Sequence, residues 1–275
     1  MAYVPLEIFT GEVNEHVAHV YARAPGEGAL SGMVRGPFNV HSQTLPSNYP
    51  LRDLGPGTCR LARAVVTDPC TWSTEAPSLY RAEVESGPIS FGIRRFGIVN
   101  QHFLLNGRRW VARGVRDEAV SGPTERWRSE VAARVMHHVD EQVLSETSEQ
   151  GVMTFISLQE KAHVDADLLR TIARYASAHL VVLPEQAVLS ADVRNRAPNL
   201  LLAQQLESQP PSDWADVAWI ELTELADFAA RSKGITLPII AVRRYRGNSL
   251  EEARAACDTL QADLAPLGQF AGYVV

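Results

Sequence analysis

The chain has 275 residues, 45% of them hydrophobic, with a formal net charge of −6 and a pI near 5.8. That length and apolar content suffice for a sizeable core in one large unit or two smaller ones. The acidic balance supplies no basic face for nucleic acid, and no run approaches the roughly 18 apolar residues that a membrane-spanning helix needs.

Residues 1–99 read as all-β. LEIFTGEV, VAHVYARA, ALSGMVRGPF, CRLARAVVTD and LYRAEVES alternate or run apolar, and APGEGAL, TLPSNYPLRDLGPG and TDPCTWSTEAP read as turns between them. Short strands at such intervals predict a small antiparallel sandwich. No helix-period segment of any length stands in this part.

From about residue 100 apolar β-type runs alternate with helix-period segments. The predicted strands are 110–115, 131–138, 152–158, 179–184, 199–206, 216–222, 238–245 and 270–275. The second also fits a helix on periodicity. DADLLRTIARYA, ELTELADFAARSKG and SLEEARAACDTLQADLAPLG read as helices, with Gly234 capping the second at its C-terminus and Ser249 with Glu252 forming a capping box on the third. Eight continuous apolar strands with helices between them predict a closed (β/α)₈ barrel. Only about 175 residues are left for it, against roughly 250 in a typical barrel, so some helices are expected to be short or missing. The reading is thus multi-domain: a sandwich over 1–99 and a shortened barrel over 100–275.

The three cysteines, Cys59, Cys70 and Cys257, form no C-x-x-C pair, which argues against a zinc cage or redox motif. Reduced thiols in a cytoplasmic protein are expected, with a Cys59–Cys70 bridge left open. MAYVPLEIFTGEVNEH has no basic start followed by an apolar stretch and is not expected to be a signal peptide. There is no G-x-G-x-x-G, Walker-type loop, H-E-x-x-H or G-x-S-x-G, so no cofactor and no metal are expected.

Two passages resemble a known family. DPCTWSTEAPSLYRAEV is similar to the "P-x-x-W-s-x-e-x-P-x-L-Y" strand of glycoside hydrolase family 2, the group of β-galactosidases, β-glucuronidases and β-mannosidases. FGIRRFGIVNQHFLLNGRRWVARGV is similar to its "FGfR…fxLNGkpvxlrGvn" passage. Trp72, Pro77, Tyr80, Phe91, Gly92, Arg94, Leu105, Asn106, Gly107, Arg113 and Gly114 fall in register. Fainter likenesses continue in order through ARVMHHVDEQVLSETSEQGVMTF, RYASAHLVVLPE, LPIIAVRRYRG and FAGYVV. The resemblance implies an immunoglobulin-like sandwich followed by a (β/α)₈ barrel, with no counterpart of the family's N-terminal jelly roll.

It also implies retaining glycosidase chemistry, in which one carboxyl group protonates the leaving oxygen and a second, roughly 5–5.5 Å away, attacks the anomeric carbon. Glu185 falls at the acid/base position with a one-residue gap, and Pro184 stands where the family has asparagine; Glu185 also reads as an ordinary loop acid. At the nucleophile position "tEyG" becomes Val242-Arg243-Arg244-Tyr245-Arg246-Gly247. An arginine stays protonated and cannot serve as that nucleophile. Arg243, Arg244 and Tyr245 are therefore expected to pair with Glu185, to bind an anion, or only to make ion pairs at the rim. Arg134 matches the arginine of "vRxsH" and His137 and His138 lie near its histidine, so Arg134 and His137 are candidate substrate contacts. Glu118, Glu160, Glu207, Glu221 and Glu224 stand near other strand ends. Trp110 and Trp219 read as core, Trp127 and Trp214 as possible sugar platforms, the latter at the non-catalytic end.

Three functions stay open. The first is a catalytically degenerate family-2-like protein that keeps a site for carbohydrate or a small anionic ligand. The second is an active β-glycosidase with a displaced pair, such as Glu185 with Glu207 or Glu221. The third is a structural scaffold in a homo-oligomer or with a protein partner.

Overall fold

The computed structural model describes residues 6–118, 120, 122–158, 164–195, 197 and 199–275. The first part is a seven-stranded antiparallel arrangement in the order β1-β2-β5-β4-β3-β6-β7. Its strands are β1 (Glu7–Val13), β2 (Val17–Ala24), β3 (Gly32–Phe38), β4 (Ser47–Asp53), β5 (Arg60–Thr67), β6 (Leu79–Val84) and β7 (Gly87–Phe91). β4 joins two sheets: Ser47–Leu51 pairs with β3, and Arg52–Asp53 pairs with β5. Ala18, Val20, Ala22, Ala62, Ala64 and Val66 from one sheet meet Val34, Leu51, Tyr80, Ala82 and Phe91 from the other. The period-2 pattern of β2 and β5 supplies one buried face, as half-buried strands do. As expected, no helix occurs among the described residues of this part. Two strands escaped the sequence reading, β4 inside a segment taken as a turn and β7 beyond the last strand read.

β8 (Phe96–Val99), β9 (His102–Leu105) and β10 (Arg108–Trp110) make a small antiparallel sheet. The division expected between 99 and 100 falls at the β8–β9 turn. Asn106 and Gly107 join β9 to β10 with φ of 52° and 77°. A two-residue hairpin wants positive φ at both central residues, which asparagine and glycine tolerate best.

Eight parallel strands then close a barrel: β11 (Ala112–Arg116), β12 (Ala133–Met136), β13 (Thr154–Ser157), β14 (Ala178–Leu183), β15 (Leu201–Gln205), β16 (Val217–Glu221), β17 (Ile239–Val242) and β18 (Gly272–Val274), with β18 paired to β11. All eight lie within or across the expected runs, with three differences. The run 110–115 breaks at Val111, where the hairpin sheet gives way to the barrel. The run 131–138 is a strand only over 133–136. The run 238–245 stops at Val242, so its arginines lie in a loop.

The helices are α1 (Thr124–Ser129), α2 (Glu141–Gln150), α3 (Ala166–Ala173), α4 (Ala191–Asn195), α5 (Leu225–Ser232) and α6 (Leu250–Leu264). Residues 206–216, all described, carry no helix between β15 and β16, so the barrel is abbreviated there. Gly234 follows α5 with φ of 80°. On α6, the Ser249 hydroxyl accepts from the Glu252 N–H at 3.4 Å. The carboxylate of Glu252 instead accepts from the Tyr245 hydroxyl at 3.1 Å, so the expected capping box is only half formed.

The joint between sandwich and barrel explains the motif residues. Trp72 is fully buried, and its indole N–H donates to the Ser148 carbonyl of α2 at 2.8 Å. Arg94 is 8% exposed and caps the C-terminus of α3. It donates to the carbonyls of Ala173 at 3.2 Å, Tyr175 at 3.4 Å and Ala178. Of these, the Ala173 carbonyl belongs to the last turn of α3, whose carbonyls the helix itself leaves without partners, while the Tyr175 carbonyl also accepts from the Ala178 N–H at 3.2 Å. Gly92 presses on Ala176: a Cβ there would sit 2.4 Å from the alanine methyl.

Candidate functional site

Strand alternation sorts the barrel residues into two faces. Ala112, Ala133, Val135, Phe155, Leu180, Val182, Ala203, Val217, Trp219, Ile240, Val242 and Val274 share the inner core. Val115, Ala218, Ile220 and Ala241 pack outward against α5 and α6, while Ile156, Val181 and Leu183 pack outward toward α2 and α3. One inner step beyond the apolar layer, at the C-terminal ends, come Arg116, His137, Ser157, Gln205 and Glu221. This is the end at which barrels of this kind place their active sites.

Arg116 and Glu221 form an ion pair at 2.8 Å, with side chains only 11% and 27% exposed. Arg134 points outward, pairs with Asp117 at 3.4 Å and lies 5.6 Å from the ring centre of Trp127, which is buried beneath it. His137 faces Glu118 across 3.4 Å. His138 is exposed.

Glu185 follows β14 and holds the loop after β15. Its Oε1 accepts from the backbone N–H groups of Glu207, Ser208 and Gln209 at 2.8, 2.7 and 2.8 Å. Its Oε2 accepts from the Ser208 hydroxyl at 3.3 Å. Burial pushes this carboxyl up, but the hydrogen bonds from Gln209, Ser208 and Glu207 together outweigh it and hold the group below the usual carboxylate range. A general acid at neutral pH needs the opposite displacement.

The arginine loop divides. Arg243 turns to α6 and pairs with Asp263 at 2.7 Å. Tyr245 also turns to α6, through its bond to Glu252, and its ring lies against Gly247, where a Cβ would come 1.9 Å from the phenol oxygen. Arg244 is exposed and makes no ion pair with the described residues. Of the sequence candidates, His137 thus belongs to the inner row at the mouth, Glu185 borders it, and Arg244 stands exposed in the loop after β17. Arg134, Arg243 and Tyr245 are directed to outer contacts.

Among the other acids, Glu207 accepts from Gln205 at 3.2 Å. Glu224 is exposed at the start of α5 without a side-chain cap bond. Glu160 lies outside the described residues. Trp214 donates to the Ala187 carbonyl at 3.2 Å, and Trp110 stacks edge-on with Phe96 and Phe155, so both serve packing. All three cysteines are free thiols. No group of metal-ligating side chains and no helix long and apolar enough to cross a membrane occur among the described residues.

The sequence reading does not single out Arg116 and Ser157, whereas Trp219 reads as core and is fully buried in the inner core. The signal was a polar residue at the inner-facing last position of a barrel strand, as in ARGVR and TFIS.

No protein-family model matches the sequence, and no curated protein does. Solved structures match throughout. A β-glucuronidase of Bacteroides uniformis aligns with a TM-score of 0.59 at 16% identity, over 98% of this chain and 45% of its own. A β-glucuronidase of Ruminococcus gnavus aligns at 0.61 and 12% identity, over 98% and 60%. A family 2 β-galacturonidase of Eisenbergiella tayi, solved with galacturonate, aligns at 0.57 and 14% identity, over 98% and 63%. The chain spans about half to three-fifths of the length of these proteins. Sandwich, joint and closed barrel together are the fold that this chain shares with glycoside hydrolase family 2 enzymes.

Proposed function

We propose that this chain is a catalytically degenerate counterpart of the family 2 glycosidases, with the barrel mouth kept as a binding site for carbohydrate or a small anionic ligand. One observation carries this reading. Where the family resemblance requires a nucleophilic glutamate, the chain has Arg243 and Arg244, and the described acids nearest the mouth are engaged elsewhere. Glu185 braces a loop, Glu221 is paired with Arg116, Asp117 with Arg134, and Glu118 faces His137. Retaining hydrolysis needs one carboxyl that carries a proton and one free to attack. An oxocarbenium-like transition state also gains nothing from cations placed beside it. The neighbours, a β-glucuronidase and a β-galacturonidase bound to galacturonate, support a carbohydrate or uronate ligand for this fold.

Hydrolysis of a panel of aryl β-glycosides by the purified protein, with Glu185→Gln measured beside it, tests the proposal. The expected result is no turnover above the variant on any sugar. Turnover that disappears in the variant would establish an active enzyme with a displaced carboxylate pair.

A further inference from the structure

We propose that the inner mouth of the barrel is a site for a small oxyanion, a carboxylate or a phosphate, held by the Arg116 guanidinium, the Trp219 indole and the Ser157 hydroxyl. This rests on the mouth being a binding site, though not on the loss of catalysis.

Several buried side-chain atoms at the barrel interior have no hydrogen-bond partner. Arg116 Nε, Ser157 Oγ and Trp219 Nε1 are all of this kind, and all belong to inner-facing positions in the C-terminal part of the barrel. Ser157 is 2% exposed and Trp219 fully buried. An unmet buried donor costs about 1–3 kcal/mol, so three in one region need an explanation.

The strand register gathers them. Val135 on β12 pairs with Arg116 on one side and Phe155 on the other. His137 and Ser157 each lie one inner step beyond that row, on adjacent strands. Trp219 lies one inner step below Glu221 on β16, and Glu221 reaches Arg116 directly. The patch therefore runs from β12 and β13 through β11 to β16. His137 and Ser157 share no hydrogen bond, so the pair offers no activated nucleophile.

The chemistry of the unmet atoms selects the ligand. Arginine Nε–H and indole N–H donate only, and a serine hydroxyl donates readily. A neutral sugar hydroxyl needs acceptors as well as donors. The described carboxylates nearby are committed to Arg116, His137 and the Glu185 loop. Unmet donors beside committed acceptors suit a ligand that accepts only, which is an oxyanion.

The test titrates the intact chain with inorganic phosphate, with glucuronate and with neutral glucose, by calorimetry and by thermal shift. Phosphate or glucuronate is expected to bind and raise Tm, with glucose inert; which of the two does so identifies the source of the oxyanion. Trp219→Phe keeps a ring and removes one donor, and is expected to weaken binding about tenfold while the protein stays folded. Arg116→Gln is expected to abolish binding. If Arg116→Gln fails to fold, the Trp219→Phe titration still decides. Glucose binding as well as glucuronate, unchanged affinity in Trp219→Phe, or no binding by either oxyanion would overturn the assignment. Glycoside turnover would refute degeneracy alone and leave the oxyanion result standing.

Discussion

Arg94→Met tests whether the joint is held as described. Methionine keeps a long apolar stem and removes the guanidinium. The guanidinium donates to the carbonyls of Ala178, of Ala173 at 3.2 Å and of Tyr175 at 3.4 Å. A bond from a charged donor contributes about 1.5–3 kcal/mol, and with two of the three long the set contributes roughly 3–5 kcal/mol. Against this stands the burial of the charge. Desolvation pulls the Arg94 pKa from 12.5 to about 10, a cost of about 3 kcal/mol at ~1.4 kcal/mol per unit. Losing the cap also leaves the Ala173 carbonyl at the end of α3 without its arginine donor, at about 1–3 kcal/mol if water does not reach it. The expected net loss is about 2–3 kcal/mol. Calorimetry is expected to show Tm lower by roughly 5 °C, at about 2 °C per kcal/mol for a chain of this size. Arg95→Met is the control. Arg95 pairs with the largely exposed Glu15 at 3.3 Å, an interaction worth about 0–1 kcal/mol. Equal effects of the two substitutions, or no loss from the first, would refute the role given to Arg94.

Three further predictions follow from single contacts. His179 is buried between Trp72 and Phe96, and burial, aided by the charge of Arg94, holds its pKa at about 3 instead of 6.5. The unfolded chain gains a proton as pH falls through 6.5 and the folded chain does not until about 3, so stability is intact above 6.5 and falls toward 3 by up to ~1.4 kcal/mol per pH unit. Urea midpoints between pH 7 and 4 are expected to show that slope, and His179→Phe to flatten it; identical slopes would contradict the assignment. Glu185→Gln is expected to cost about 1–2 kcal/mol through weaker bonds to three N–H groups and to speed proteolysis in residues 206–216, whereas a variant of unchanged stability would remove the bracing role. Gly92→Ala, with its methyl driven toward Ala176, is expected to destabilise by about 1–3 kcal/mol in chemical denaturation.

The joint was legible in the sequence because its geometry admits few residue types. A two-residue hairpin demands something like Asn106-Gly107, the pressed contact at Ala176 demands Gly92, and the buried caps demand a tryptophan and an arginine of fixed reach. The barrel was legible because eight strands buried on both faces must be continuously apolar. The mouth was not. Whether Glu185 is an acid or a brace depends on three N–H groups some twenty residues away. Whether Arg243 and Arg244 face inward depends on where β17 ends, and it ends at Val242. Arg116 and Glu221 meet across 105 residues of sequence, and no local pattern announces such a pair.

The central claim is the missing nucleophile, and covalent trapping tests it most directly. The protein is incubated with a panel of activated 2-fluoro-glycosyl fluorides, which arrest a retaining glycosidase at its glycosyl–enzyme stage, and its intact mass is measured. The account predicts an unchanged mass with every sugar. A mass increase by one fluoroglycosyl group, mapped to Glu221 or to any other carboxylate, would contradict it.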